Sequence, residues 1–110
     1  MDGPVYIPDW RALVTYSAPG PQPALLLDEP ELRVLIAGLE PGGRIPPHPE
    51  RFAVYHFLEG TGTMIVDGER HAVHAGSTVV TPLGSSRGME AETRLAFLAT
   101  RVGGDLEPAS

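Results

Sequence analysis

Short apolar runs separated by glycine and proline form the hydrophobic pattern of this chain. Two of them, residues 32–39 and 52–58, are almost uninterrupted and rich in aliphatic or aromatic side chains, and glycine follows each one closely. Runs of this kind are typical of strands that are covered on both faces. No window keeps the i, i+3, i+4, i+7 spacing of an amphipathic helix over the ten or so residues that a helix needs. The pattern therefore predicts an all-β fold.

The clearest local prediction is a hairpin. Segments 63–66 and 70–74 flank the pair Asp67-Gly68, and a two-residue type I′ turn favours such a pair because both of its central residues take positive φ. Further strands are predicted at residues 77–81, 87–91 and 95–102. Roughly eight or nine short strands on a chain of this size indicate a double-sheet jelly roll or a small closed barrel, and either has a mouth that can accept a ligand.

The length of 110 residues suits one compact domain. Residues 1–23 end in a proline-rich stretch and are predicted to form an N-terminal arm that lies over the domain or across a neighbouring subunit. The barrel is expected to span residues 24–102. The remaining residues, 103–110, are predicted to be a flexible tail.

Composition and charge exclude several classes of protein. No apolar run approaches the roughly 20 residues that span a bilayer, and no apolar leader opens the chain, so a cytoplasmic protein without a membrane partner is expected. Cysteine is absent, which excludes disulfides and thiolate zinc sites. The net charge is −6, and all the basic residues are arginines spread singly along the chain. Nucleic acid is therefore not an expected partner.

The turn residues after the arm follow a specific spacing. Five residues separate Gly42 from His48, and residues 58–62 (Leu-Glu-Gly-Thr-Gly) precede the hairpin; Gly76, Pro82 and Gly84 follow it. This spacing resembles the two cupin motifs, G-x5-H-x-H-x(3 or 4)-E-x6-G and G-x5-P-x-G-x2-H-x3-N. The resemblance covers residues 32–102 and implies a cupin-like double-stranded β-helix, which is a jelly-roll barrel.

The chemical positions of these motifs depart from the family. In cupins, three histidines and a glutamate converge on a divalent metal. His48 stands at the first histidine position, but Glu50 stands at the second and Arg87 at the last, while Ala53 or Tyr55 falls at the glutamate position. A guanidinium has no lone pair for a metal and would repel one. The resemblance therefore implies a degenerate metal site with no cofactor, in which Arg87 pairs with Glu50 or binds a small anionic molecule.

The inner face of a cupin-like barrel is both core and pocket lining. Aromatic and long apolar side chains alternate along the predicted strands and are expected to contact the ligand together with the polar residues named above. The predicted ligand-binding residues are His48, Glu50, Tyr55, Phe57, Met64, Arg87 and Phe97. Small-molecule binding is accordingly the first functional hypothesis.

Two enzymatic alternatives use some of the same residues. If one unbulged strand ran from His48 onward, its period of two would place His48, Glu50 and His56 on one face. Two histidines and a carboxylate can hold one divalent transition metal (Fe, Mn, Ni, Cu or Zn) with open positions, as a dioxygenase or isomerase needs. A metal-free isomerase or epimerase would instead use His48 as base and Tyr55 as acid. Whether the protein is an enzyme, or a scaffold with a vestigial site, is left open by the sequence.

Apolar side chains occur on both faces of the predicted strands, as at Val34, Ile36, Leu95 and Phe97. One barrel interior cannot cover both faces. We therefore expect a homodimer.

Overall fold

The computed structural model describes residues 3–18 and 20–103 of the chain. Apart from one 3-10 turn at Trp10–Ala12, the regular structure of these residues consists of strands. The ten strands are β1 (Tyr16–Ser17), β2 (Ala24–Asp28), β3 (Leu32–Leu39), β4 (Arg44–Pro49), β5 (Ala53–Glu59), β6 (Thr61–Val66), β7 (Glu69–His74), β8 (Thr78–Thr81), β9 (Ser86–Ala91) and β10 (Leu95–Val102). In this part of the chain no helix is long and apolar enough to cross a membrane.

The strands form two sheets. The first sheet has the order β1-β3-β10-β5-β8, with β2 also paired to β3, and the second sheet has the order β4-β9-β6-β7. All pairs are antiparallel except β1 with β3. From β3 to β10 the chain changes sheet at every connection except the β6–β7 hairpin, and this alternation gives the jelly-roll arrangement.

The core lies between the two sheets. Buried and exposed side chains alternate along the strands, because successive side chains of a strand point to opposite faces. Along β5, the side chains of Ala53, Tyr55 and Phe57 are buried, while His56 on the opposite face is exposed. The ring of Phe97 on β10 lies 5.8 Å from that of Tyr55 and 6.1 Å from that of Phe57. Met64 faces them from the second sheet and is fully buried.

The structure contains every strand that the hydrophobic pattern predicts. The predicted turn is present as well, with φ of 52° at Asp67 and 81° at Gly68 between β6 and β7. Strands β1, β2 and β4 were not predicted. Strand β4 gives no strand signal because three of its six residues are proline and it shows no alternation. Proline cannot donate to a ladder and is confined largely to sheet edges, and β4 is the edge strand of the second sheet.

Described residues of the segment predicted as an N-terminal arm contact the barrel of the same chain. Strand β1 of this segment pairs with β3, and the ring of Tyr16 lies so close to Gly38 that an added Cβ would be 2.7 Å from its Cδ1. The hydroxyl of Tyr16 donates to Glu59 on β5. Burial and this hydrogen bond raise the pKa of Tyr16 to about 12. The arm is thus attached to the barrel by polar and apolar contacts. Of the predicted tail, residues 104–110 lie outside the described residues.

Several large apolar side chains remain exposed on this single chain. On the first sheet and next to it, Leu25, Phe52 and Val80 have exposed fractions of 52%, 42% and 60%. Exposed apolar groups of this kind are compatible with a partner subunit, and the homodimer stays a prediction.

Candidate functional site

Glu50 lies between the two sheets with a side chain that is 0% exposed. It belongs to the link that leads from β4 in the second sheet to β5 in the first. Backbone hydrogen bonds hold this link, because Glu50 N donates to Ser85 O at 2.7 Å and Gly84 N donates to Glu50 O at 3.2 Å. These backbone hydrogen bonds of the link, and not the pairing of a strand, therefore fix the position of the carboxylate.

Both oxygens of Glu50 accept hydrogen bonds. Oε1 accepts from Arg101 Nη2 at 2.8 Å, from Arg101 Nε at 3.1 Å and from the backbone N of Arg51 at 3.0 Å. Oε2 accepts from Arg87 Nε at 3.2 Å and from the Tyr55 hydroxyl. We call Glu50, Tyr55, Arg87 and Arg101 the Glu50 cluster. Because Arg87 comes from β9 and the other two partners come from β5 and β10, the cluster connects the two sheets.

The cluster fixes the protonation states of its acidic groups. Burial alone would raise the pKa of Glu50, but the hydrogen bonds from Tyr55 and Arg51 and the charges of Arg101 and Arg87 bring the pKa below its usual range. Burial also raises the pKa of Tyr55, and the adjacent Glu50 carboxylate raises it further against the opposing charge of Arg87. At neutral pH, Glu50 is a carboxylate and Tyr55 is a neutral phenol.

Arg87 is only partly satisfied by this arrangement. Its side chain is 12% exposed, and Nε donates to Glu50. Its Nη1 is buried and has no hydrogen-bond partner among the described residues. Buried polar groups are paired in the great majority of cases, so an unpaired buried donor on a permanent cation points to a missing acceptor.

A cavity of about 170 Å³ lies beside the cluster. Its polar lining comes from Tyr55, Arg87 and Arg101. Its apolar lining comes from both sheets and from the arm, and consists of Pro21, Pro23, Leu35, Ala37, Ile45, Phe97 and Ala99. A wider depression of about 540 Å³ between β7 and β8 is more open, and none of its lining residues is a buried charged group. The smaller cavity is therefore the candidate ligand site.

The structure brings some of the predicted ligand residues together. Tyr55, Arg87 and Phe97 line the cavity, and Glu50 accepts hydrogen bonds from all three of its polar lining residues, Tyr55, Arg87 and Arg101. Phe57 and Met64 are buried in the core but do not line the cavity. They support the lining, since the ring of Phe57 contacts Phe97.

His48 lies near the site but does not enter it. It is the cross-strand partner of Arg87 on β9, and such partners project from the same face of a sheet. Its side chain is nevertheless exposed, and its Nδ1 lies 2.8 Å from the backbone oxygen of Pro49. The predicted contact between His48 and a ligand therefore lacks support from its position.

The unbulged register that would align His48, Glu50 and His56 is wrong. Strand β4 ends at Pro49 in the second sheet and β5 begins at Ala53 in the first, so no single alternation runs through the link between them. His56 consequently lies on the outer face, where its Nδ1 is 3.2 Å from Thr78 Oγ1. Among residues 3–18 and 20–103, no three histidine, aspartate or glutamate side chains are grouped as metal ligands would be.

The residues of the cluster do not fit a divalent metal. The Glu50 oxygens already accept five hydrogen bonds, and two guanidinium groups flank them. A cation placed there would compete with those donors and be repelled by both charges. A carboxylate held by two arginines is instead suited to orienting those arginines toward an anion.

Seven of the residues that line the cavity were not among the predicted ligand residues: Arg101, the arm residues Pro21 and Pro23, and the aliphatic residues Leu35, Ala37, Ile45 and Ala99. Arg101 occupies the inward position after Phe97 and Ala99 on β10, and the period of two along that strand could have identified it. Pro21 and Pro23 come from the arm, and no local pattern connects them with the barrel interior. Their place depends on the path of the folded chain.

The lowered pKa of Glu50 predicts a stability that depends on pH. A carboxyl group with a lower pKa in the folded state contributes stability above its unfolded pKa, near 4.5, and loses it as the pH falls through the folded pKa. We expect the difference in unfolding free energy between wild type and Glu50→Gln to be constant from pH 7 to about 5 and to shrink below about 4.5. Urea unfolding followed by circular dichroism at several pH values measures it. A difference that stays constant down to about pH 3 would contradict the assignment.

Sequence and structure comparisons agree on the relatives of this fold. A family model described as the cupin domain matches residues 35–100, more than half of the chain. A conserved protein of unknown function from Streptococcus pyogenes has a similar structure, with 21% sequence identity, a TM-score of 0.80 and coverage of 98% of this chain and 92% of that chain. An uncharacterized conserved protein with a double-stranded β-helix domain from Klebsiella pneumoniae has 18% identity, a TM-score of 0.79 and 91% coverage of each chain.

A third similar structure is an enzyme. Salicylate 1,2-dioxygenase from Pseudoaminobacter salicylatoxidans has 22% identity and a TM-score of 0.70, and the match covers 77% of this chain but 25% of the dioxygenase. No curated protein sequence matches the chain significantly. At these identities the structural likeness concerns the fold alone.

The matched region contains all the strands of the barrel from β4 to β9 and most of β3 and β10. It also contains the turn residues whose spacing resembles the two motifs. The predicted all-β jelly roll is thus confirmed both by the two-sheet topology and by the similar structures. This chain belongs to the cupin superfamily.

Proposed function

We propose that this cupin binds a small anionic molecule in the barrel cavity without a metal, and that Arg87 is its main recognition group. The observation that carries the proposal is the buried Nη1 of Arg87, which has no partner in the described chain although the residue lines the cavity. A guanidinium binds planar anions through paired N–H groups. Arg87 uses its Nε on Glu50, so its terminal edge is left for a ligand.

The charges around the cavity support an anionic ligand. Two guanidinium groups, from Arg87 and Arg101, stand against the single carboxylate of Glu50. Tyr55 is neutral, so the cluster keeps one positive charge in a chain whose net charge is −6. A buried excess charge is costly unless an opposite charge compensates it, and an anion in the cavity would do so.

The geometry gives less support to catalysis by His48 and Tyr55. The hydroxyl of Tyr55 donates its proton to Glu50 and not toward the cavity. The exposed ring of His48 interacts with the backbone at Pro49. An acid and a base must both reach the substrate, so binding is proposed here and no reaction is assigned.

Replacing Arg87 by alanine is expected to weaken anion binding selectively. The affinity for anions should fall roughly 10- to 100-fold, since a hydrogen bond to a charged group is worth about 1.5–3 kcal/mol. The probes are benzoate and succinate, with benzamide and succinamide as their neutral counterparts, and inorganic phosphate. Titration calorimetry or ligand-detected NMR measures the affinities.

The control is Arg70→Ala, which removes the same charge from the surface of β7, where Arg70 pairs with Glu90. This variant should bind anions as the wild type does. An equal loss of anionic and neutral probes in Arg87→Ala, or an equal loss in the two variants, would refute the proposed role of Arg87.

A further inference from the structure

We infer that the ligand of this cavity is a monocarboxylate with a compact apolar body about the size of one six-membered ring. The inference rests on the proposed function and adds the charge, the head group and the size of the bound molecule. It follows from the charge balance of the Glu50 cluster, the free edge of Arg87, and the volume and lining of the cavity.

The charge balance favours one negative charge. Of the described residues that line the cavity, Arg87 and Arg101 are charged, and Glu50 neutralises one of them. A monoanion completes the compensation. A second negative charge would lie in the same water-poor space as the Glu50 carboxylate with no further cation to balance it, and charges interact strongly where the effective dielectric constant is low.

The free donors favour a planar head group. Arg101 directs Nε and Nη2 at Glu50, whereas Arg87 directs only Nε at it. The terminal edge of Arg87 therefore keeps an unpartnered donor, Nη1, and a guanidinium edge of this kind pairs with both oxygens of one carboxylate side by side.

The rest of the cavity is apolar. Leu35, Ile45 and Phe97 surround it between the sheets, and Pro21 and Pro23 line it from the arm. Proline has no backbone N–H to offer a ligand. Beyond its head group, the bound molecule should therefore expose carbon and hydrogen to these walls, since a polar body would lose its hydrogen bonds with water.

The volume limits the size of that body. A water molecule occupies about 30 Å³ in the liquid, and a cavity of about 150 Å³ lined by apolar side chains can hold benzene. The cavity here is about 170 Å³. It therefore has room for a six-membered ring or a short branched chain together with its head group, whereas most of a sugar phosphate or nucleotide would have to lie outside it.

Titration calorimetry with matched probes tests each part of the inference. Benzoate should bind at least tenfold more tightly than benzamide, which lacks the charge, and than acetate, which lacks the body. Butyrate should bind at least tenfold more tightly than succinate, which replaces a methyl group by a second carboxylate. Arg87→Met, which keeps the apolar stem and removes the donors, should abolish the preference of the protein for benzoate over benzamide.

A cavity-filling variant tests binding of the apolar body of the ligand separately from binding of its head group. Ala99 lines the cavity and is 1% exposed, so Ala99→Leu should lower the affinity for benzoate at least tenfold while acetate binding changes little. Ala37→Val is a milder second variant if Ala99→Leu does not fold. Ala72→Leu, on the exposed surface of β7, is the matched control and should bind benzoate normally.

The possible failures of the two proposals are distinguishable. If succinate and phosphate bind as tightly as benzoate and depend on Arg87, the ligand class inferred here is overturned and the proposed function stands. If Ala99→Leu and Ala72→Leu bind benzoate equally, the apolar body does not occupy the cavity, and the inference again fails alone. If no anion binds better than its neutral counterpart, and Arg87→Met changes nothing, both proposals are refuted.

Discussion

Replacing Glu50 by alanine is expected to lower the free energy of unfolding by about 3–5 kcal/mol, because removal of one member of a buried ion pair leaves its partners uncompensated. The guanidinium groups of Arg87 and Arg101, with side chains 12% and 20% exposed, would then lie between the sheets without the carboxylate that they share. The hydroxyl of Tyr55 would also lose its acceptor. Urea unfolding at neutral pH, followed by circular dichroism, measures the loss.

Glu90→Ala is the matched control for this prediction. Glu90 also interacts with two arginines, Arg44 at 3.2 Å and Arg70 at 2.7 Å, but on the outer surface of the second sheet. Ion pairs at the surface are screened by water and contribute little, so the control should lose only a small fraction of what Glu50→Ala loses. Similar losses in the two variants would show that the Glu50 cluster is not the buried ion network described above.

The cluster is not accounted for by stability alone. Burying an ion network costs desolvation energy, and well-packed apolar residues often stabilise the same space as well or better. A stabilising network would also be expected to balance its charges, whereas this one holds two cations against one anion. The excess charge and the unpartnered Nη1 of Arg87 are instead expected features of a site that completes its interactions with a ligand. Glu50 therefore contributes to both stability and ligand binding. Arg87 is the residue at which the contribution to binding can be told apart from the contribution to stability.

Local signals made most of the fold predictable. The strands with alternating or continuous apolar residues, such as β3 and β10, are visible in the sequence because burial imposes a period of two or a continuous run. The Asp67-Gly68 turn is visible because few residue pairs tolerate two positive φ angles. Strand β4 has neither signal, since its prolines occupy an edge and most of its side chains are exposed.

The site residues were predictable from the sequence only where a single residue stood at a recognisable motif position. Arg87 and Glu50 stood at motif positions that normally hold metal ligands, and their pairing was among the expected arrangements. The His48, Glu50, His56 alignment failed because it extended one strand register across a link between two sheets. Arg101 and the arm prolines meet the cluster through contacts between distant parts of the chain, and such contacts leave no spacing pattern in the sequence.

Replacing Gly60 by alanine is expected to lower the free energy of unfolding by roughly 3–6 kcal/mol, because the cost of placing alanine at a positive φ adds to the cost of a collision with the backbone. Gly60 joins β5 to β6 at a φ of 89°, and a Cβ there would lie 1.6 Å from the carbonyl oxygen of Arg94. That oxygen belongs to the backbone, so relief requires the start of β10 to move. The same strand carries Phe97, Ala99 and Arg101 into the cavity, so the variant should also lose anion binding if it folds.

Gly68→Ala separates the two contributions to this loss. Gly68 has a similar φ of 81° in the β6–β7 turn, but an added Cβ would meet nothing within 4 Å. It should therefore lose only the cost of the positive φ, about 1–3 kcal/mol, and bind the probes normally. Urea unfolding of both variants measures the difference, which reports the collision with residue 94. Equal losses in the two variants would mean that the β5–β6 corner does not press against the start of β10, and the position of β10 in the candidate site would then need another explanation.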